Sequence, residues 1–147
     1  RHNNGAPFFE EDLVARKDLG VEKLVPVAEA KAAAEGGWDI SSKDVKNIPY
    51  LSYDPSSYLG TIVDQIIGSR QPPMVLRYMD AHSEALKRSA IAGSGVAWLS
   101  ERVIADELQS GKLVRVGGPE WQTTLKLTLF CSLDRLDKTG QQLWEAL

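Results

Sequence analysis

Two polar stretches follow apolar runs typical of β-strands, and they hold the side chains best suited to bind a small molecule. The stretches are "YDPSSY" at residues 53–58 and "MDAHS" at residues 79–83. Each precedes a predicted helix, and the first turn of a helix offers unpaired N–H groups and partial positive charge. Such groups could hold a carboxylate or another small polar group. The candidate binding residues are Tyr53, Ser56, Ser57, Tyr58, Met79, His82 and Ser83.

Each of these side chains also has a purely structural interpretation. Serine or aspartate before a helix caps it more often than it binds a ligand. His82 can change charge near neutral pH, yet a histidine in a first helical turn is more often solvated than in contact with a ligand. Because ligands of α/β sheets bind where the carboxyl ends of strands meet, the two loops together favour a binding site more than any single residue does.

The sequence around these loops predicts the strands and helices that position them. We predict a strand over Tyr50–Tyr53, a turn at Asp54-Pro55, a cap at Ser56 or Ser57 and a helix that ends at Gly68. A second strand is predicted in "PMVLRYMD", with Asp80 placed to cap the helix that follows. The first helix has an apolar stripe that would lie against a sheet, formed by Leu59, Ile62, Val63, Ile66 and Ile67.

The stretch "KRSAIAGSGVAWLSERVIADELQSGKLVRV" continues this alternation of elements. A helix closed by Gly93 is followed by a strand over Gly95–Leu99, and then by a helix that Ser100 caps and Gly111 ends. "KLVRV" is a further strand. Helices alternating with strands predict an α/β fold, with helices packed on the faces of a sheet.

The two ends of the chain complete the set of elements. "EKLVPVAEA" predicts a strand, and the Ala-rich segment at residues 31–47 a connection with a helical turn. Near the other end, "TLKLTLFCSL" alternates apolar and polar residues as a strand does, and a last helix is predicted over Leu136–Leu147. The opening "RHNNGAPFFEEDLV" lacks methionine and any element that begins a domain, so we expect the chain to be part of a longer protein.

Composition excludes several functional classes. The chain has 147 residues, a net charge of −3 and scattered basic residues, which argues against a nucleic-acid-binding surface. No apolar run is long enough to cross a bilayer, and a cytoplasmic protein is expected. One cysteine, Cys131, and two histidines leave no metal, cofactor or catalytic motif, so we expect neither a cofactor nor enzymatic activity. The "GSG" at residues 93–95 follows a helix, unlike a dinucleotide-binding loop.

The order and spacing in "SEALKRSAIAGSGVAWLSERVIADELQSGKLVRV" resemble the effector-binding domain of LysR-type transcriptional regulators. "EKLVPVAEA", "YLSYDPSSYLG" and "LTLFCSL…LWEAL" extend the resemblance over nearly the whole chain. Ser100 stands where the family commonly has proline. A looser likeness, in "SYLG" and "GVAWL", points to a hypochlorite-responsive branch of the family.

The resemblance implies a Rossmann-like, periplasmic-binding-protein-like effector domain of which this chain is a part. Residues from about 15 to 115 would form the second subdomain, and residues from about 120 to 147 would return to the first. It further implies a homodimer or homotetramer, a small-molecule effector in a cleft at the two loops, and DNA binding only through an N-terminal helix-turn-helix outside this chain. An anionic effector is allowed, and no membrane partner is expected.

Two alternatives remain open at this point. In the first, oxidation of Met74, Met79 or Cys131 replaces ligand binding as the signal, although burial in the core is the commoner role of such residues. In the second, the chain is a free-standing solute-binding protein.

Overall fold

The computed structural model describes the backbone of residues 14–132 and the side chains of residues 20–126. In this range the strands are β1 (Val14–Glu29), β2 (Ile48–Tyr53), β3 (Met74–Asp80), β4 (Ala97–Ser100), β5 (Leu113–Arg115) and β6 (Thr123–Ser132). The helices are α1 (Ala30–Gly36), α2 (Tyr58–Ile67), α3 (Ser83–Ile91) and α4 (Ala105–Ser110), with a 3-10 helix at Pro119–Trp121. The predicted C-terminal helix at Leu136–Leu147 and the side chain of Cys131 lie outside the described residues.

The long strand β1 organises the sheet. It pairs antiparallel with β4 on one side and with β5 on the other, and β6 also pairs with it. β2 and β3 pair in parallel, so that Tyr53 at the end of β2 lies opposite Asp80 at the end of β3. A parallel bridge between Tyr50 and Val96 connects β2 to the start of β4. The predicted α/β fold is confirmed.

The backbones of β2 and the β4 region approach each other closely at this bridge. The N–H of Leu51 donates to the carbonyl of Val96, and the N–H of Val96 donates to the carbonyl of Pro49, both at 2.8 Å. A Cβ atom on Gly95 would lie 2.6 Å from the Pro49 carbonyl oxygen. The first position of the predicted strand therefore needs glycine because a side chain would push the two backbones apart.

The chain divides into two compact units, Glu22–Leu125 and the pair of segments Arg1–Val21 and Lys126–Leu147. The first unit contains β2 to β5 and all four described helices. Its core is made mainly of aliphatic and tryptophan side chains from β1, β4 and the helices that cover them. The largest fully buried side chains are Trp98, Leu24, Ile40, Ile48, Leu51, Leu86, Leu99, Ile104 and Leu113.

Helix α2 confirms the predicted apolar stripe. Val63 is buried, and Leu59, Ile62, Ile66 and Ile67 pack against the core while partly exposed. The helix ends at Gly68, as predicted. Gly93 has the expected positive φ, at 85°, and Gly111, which ends α4 as predicted, has a φ of 81°. The Ala-rich connection contains a complete short helix, α1, whose first turn is capped by the carboxylate of Glu29.

Two predicted helix caps are wrong. The N-cap of α3 is His82, and the carboxylate of Asp80 accepts the His82 N–H at 2.8 Å outside the helix. Ser100 does not cap α4, because that helix begins at Ala105 after an intervening turn. Its hydroxyl donates instead to Glu22 Oε2 at 2.6 Å, which ties β4 to β1.

Candidate functional site

The two polar stretches lie together at the carboxyl ends of β2 and β3. The strands are parallel and end in register, and the N–H of Asp54 donates to the carbonyl of Asp80 at 2.9 Å. One hydrogen bond thus joins the first residue after β2 to the last residue of β3. Helices α2 and α3 begin a few residues later, so the first turns of both helices follow from the same edge of the sheet.

Tyr53 is a buried tyrosine that links this edge to β4. Its hydroxyl donates to the carbonyl of Trp98 at 2.8 Å and lies 3.3 Å from the hydroxyl of Ser83 in the first turn of α3. Burial raises the pKa of Tyr53, so the phenol stays protonated at neutral pH. Of the predicted residues, Tyr53 and Ser83 are brought into direct contact.

Trp98 holds this junction in place from the core. Its ring is buried, and its indole N–H donates to the carbonyl of Trp121 at 2.8 Å. The guanidinium of Arg70 lies 3.8 Å from the centre of the Trp121 ring. Tyr53 is therefore hydrogen-bonded to a residue whose backbone is held by strand pairing with β1 and whose side chain is held by a hydrogen bond to Trp121.

The first loop is shaped by two serines with different roles. Ser57 is the N-cap of α2, and its hydroxyl oxygen accepts the Gly60 N–H at 3.4 Å. Ser56 donates to Asp54 Oδ1 from its backbone N–H at 2.9 Å and from its hydroxyl at 2.7 Å. These hydrogen bonds, the backbone one foremost, lower the pKa of Asp54. A Cβ atom on Gly60 would lie 2.9 Å from the Asp54 carbonyl oxygen, so α2 starts in close contact with this loop.

The second loop carries a matching carboxylate. Asp80 accepts the His82 N–H on Oδ1 and the Tyr78 hydroxyl on Oδ2, both at 2.8 Å. These two hydrogen bonds lower the pKa of Asp80, with the backbone bond contributing most. Both Asp54 and Asp80 are therefore ionised at neutral pH.

The remaining predicted residues are exposed. Tyr58 is 67% exposed at the start of α2 and Met79 is 40% exposed in β3. His82 is also exposed, and its side chain makes no capping hydrogen bond to α3. Tyr58, Met79 and His82 are available to a ligand, and none of their side chains is hydrogen-bonded to Tyr53 or Ser83.

Sequence reasoning gave Asp54 a role in a turn and Asp80 a role as a helix cap rather than a place among the binding residues, and it missed the Trp98 carbonyl. Asp54 directly follows β2, and Asp80 is the last residue of β3. An aspartate at the end of two successive predicted strands is a pattern that the sequence does show. The partnership of Tyr53 with Trp98 spans 45 residues of sequence, and a backbone carbonyl leaves no signal in the sequence. Among the described side chains, no group of three or more His, Cys, Asp or Glu residues could hold a metal ion.

The sequence profile of the LysR substrate binding domain matches residues 5–147. The chain belongs to this family. It is an α/β domain with the periplasmic-binding-protein-like fold, and the family model describes it as a substrate binding domain. The resemblance found in the sequence is confirmed.

Two curated relatives and one solved structure illustrate the match. The chain is 27% identical over 146 residues to the HTH-type transcriptional regulator YjiE of Escherichia coli K12, covering 95% of this chain and 47% of that protein. It is 26% identical over 146 residues to the HTH domain-truncated transcriptional regulator QseD of Escherichia coli O157:H7, covering 95% and 59%. The chain thus spans about half the length of the curated relatives it matches.

The full-length structure of HypT from Salmonella typhimurium, described as a hypochlorite-specific LysR-type transcriptional regulator, has the same fold. The TM-score is 0.75 at 22% identity, and the match covers 94% of this chain and 48% of that one. None of the helices among the described residues is long and apolar enough to cross a membrane.

Proposed function

We propose that the whole protein is a LysR-type bacterial transcription regulator, in which this domain senses a small molecule and controls DNA binding by an N-terminal helix-turn-helix. The support is family membership over nearly the whole chain, together with curated relatives that are transcriptional regulators. A regulator of this kind is cytoplasmic and has no enzymatic activity of its own.

The effector binds at the carboxyl ends of β2 and β3. The observation that carries this proposal is the junction of the two loops, in which Asp54 and Asp80 are joined backbone to backbone and Tyr53 touches Ser83. The first turns of α2 and α3 offer backbone N–H groups near this junction. An anionic group of the effector would be held at the α2 end, where Ser57 and Tyr58 lie.

The effector acts by shifting the relative populations of two arrangements of the domain. Residues from about 15 to 115 form the second subdomain and residues from about 120 to 147 return to the first, and an effector bound at the ends of β2 and β3 favours one of these two arrangements. The size of the response is limited by the difference in effector affinity between the two arrangements. The arrangement favoured by the effector is then passed on to the DNA-binding heads.

The regulator works as a homodimer or homotetramer. Strand β3 supports this proposal because it carries apolar side chains exposed to solvent, with Val75 at 51% and Leu76 at 54%. Exposed apolar surface of this kind is typical of surfaces that pack against another chain.

Thermal unfolding of the full-length protein with a panel of amino acids and small carboxylates tests the effector site. A true effector raises the midpoint in a saturable way, leaves the protein mass unchanged and loses its effect in Ser57→Ala. Ser89→Ala, a serine near the end of α3, is the matched control and should keep the effect.

A hypochlorite sample in the same panel tests the redox alternative. If the midpoint or the DNA affinity changes only together with a mass gain at Met74, Met79 or Cys131, oxidation is the signal and the proposed effector site is wrong. Ligand stabilisation that survives Ser57→Ala unchanged would also contradict the proposed position of the site.

A further inference from the structure

Trp121 is a buried residue in the connection that leads into β6. It is 5% exposed, and it ends the 3-10 helix two residues before β6 begins at Thr123. Between Leu125 and Lys126, β6 passes from the unit of residues 22–125 into the other compact unit. Among the residues whose side chains are described, Trp121 is the last buried one before the chain leaves this unit.

One series of hydrogen bonds reaches Trp121 from the second loop. Ser83 lies 3.3 Å from the hydroxyl of Tyr53, which donates to the Trp98 carbonyl at 2.8 Å. The indole N–H of Trp98 donates in turn to the Trp121 carbonyl at 2.8 Å. Both bonds of Trp98 are buried, and a buried polar group that loses its partner destabilises its surroundings. The start of α3 is therefore connected to Trp121 through a single residue of β4.

A second connection reaches Trp121 from the first loop, along α2. Ser57 caps the start of this helix, and Arg70 lies two residues beyond its C-cap. The guanidinium of Arg70 donates to the carbonyl of Ile66 in the last turn and, at 2.8 Å, to the carbonyl of Glu120. It also lies 3.8 Å from the centre of the Trp121 ring. A helix of this length is a rigid element about 15 Å long, so a shift of its start is carried to Arg70.

The remaining polar atom of Trp121 is held by a residue that belongs to neither loop. Its indole N–H donates to the hydroxyl of Ser41 at 2.9 Å, and the same hydroxyl donates to the Glu120 carboxylate at 3.2 Å. A Cβ atom on Gly117 would lie 3.0 Å from Cδ1 of the Trp121 ring, so the packing is close here. Closely packed side chains transmit a displacement to their neighbours because they have no free space to absorb it.

We propose that Trp121 couples the two loops of the candidate effector site to β6. A change in the second loop reaches Trp121 through Trp98, and a change in the first loop reaches it through Arg70. In both cases Trp121 moves and the start of β6 moves with it. This inference rests on the proposed function and adds how the site acts on the strand that leaves the unit. Coupling is reciprocal, so releasing Trp121 also loosens the loops.

Amide hydrogen exchange of the full-length protein, measured by mass spectrometry without any effector, tests the coupling in both directions. Tyr53→Phe breaks the connection from the second loop. It should speed exchange at residues 122–125 about three- to tenfold, the factor that corresponds to the net contribution of one hydrogen bond. Arg70→Met breaks the other connection and should speed exchange at residues 54–60 as well as at residues 122–125. Arg77→Met, which replaces an exposed arginine of β3, is the matched control and should change neither segment.

The double variant Tyr53→Phe/Arg70→Met sharpens the test. Because both substitutions release the same residue, its acceleration at residues 122–125 should be smaller than the product of the two single factors, whereas independent effects multiply. Factors that multiply would overturn the coupling, and so would unchanged exchange at residues 122–125 in Tyr53→Phe. An equal acceleration at residues 30–36, in α1, would show a general loss of stability and would also overturn it. No effector takes part, so the thermal unfolding panel still decides the proposed function separately.

Discussion

Strands β3 and β4 have similarly apolar sequences but opposite surroundings. β4 lies between β1 and the bridge to β2, and Leu99 in it is fully buried. Among the described strands, β3 pairs only with β2, and Leu76 in it is 54% exposed. The apolar content of a strand therefore does not determine its burial, which depends on its position in the sheet.

Because they differ in burial, the two strands contribute differently to the candidate site. β4 provides the Trp98 carbonyl that accepts a hydrogen bond from the Tyr53 hydroxyl. β3 carries the exposed Met79 and ends at Asp80, where the second loop begins. A buried central strand supports the geometry of the site, whereas an exposed edge strand can change its side chains at little cost in the stability of the single chain. The largest mutational effects on stability are therefore expected in β4.

The same substitution in the two strands should give the clearest contrast. Leu99→Ala removes a fully buried side chain and should lower the free energy of unfolding by about 2–5 kcal/mol. Leu76→Ala, at a position that is half exposed, should cost less than about 1 kcal/mol. Urea denaturation followed by circular dichroism measures both. Equal losses would show that β3 is covered as fully as β4 in the native assembly.

A pair of tyrosines extends the comparison to hydrogen bonds. Tyr53→Phe leaves the buried Trp98 carbonyl without its partner and should cost about 1–3 kcal/mol in the free energy of unfolding. Tyr78→Phe removes a solvent-exposed hydrogen bond to Asp80 and should cost much less than Tyr53→Phe. Chemical denaturation of both variants at neutral pH measures the difference. A larger loss for Tyr78→Phe would contradict the proposed support of the site by Tyr53.

The smallest expected effect is the pH dependence of the loop carboxylates. Asp54 and Asp80 have pKa values below the ordinary value of 3.8. A depressed pKa means that the stabilisation is present above the ordinary value and is lost as the pH falls below it through the folded-state pKa. Asp80→Asn should therefore make the unfolding free energy of the variant less dependent on pH below 3.8. Denaturation midpoints across the acidic range would detect this, and an unchanged slope would show that Asp80 does not contribute.

Much of the fold could be predicted because it depends on local sequence. The apolar stripe of α2 and the glycines at 68, 93 and 111 each act within a few residues of their position. The caps assigned to Asp80 and Ser100 were wrong because both side chains found other partners, the N–H of His82 and the carboxylate of Glu22. The Glu22 partner lies 78 residues away, beyond the reach of a local rule.

The candidate site was predictable only in part, for a related reason. The order of strands, loops and helices indicated which residues would lie at the edge of the sheet. The use of Tyr53 as a buried support depends on a backbone carbonyl in another strand. Hydrogen bonds of this kind follow from tertiary packing and leave no pattern in the sequence.

Amide hydrogen exchange of the full-length protein, with and without the compound that stabilises it most in the thermal panel, tests the central claim most directly. The predicted result is slower exchange at residues 54–60 and 80–86, the two loops and the helix starts that follow them. Slower exchange confined to other segments, with both loops unchanged, would contradict the placement of the effector at the carboxyl ends of β2 and β3.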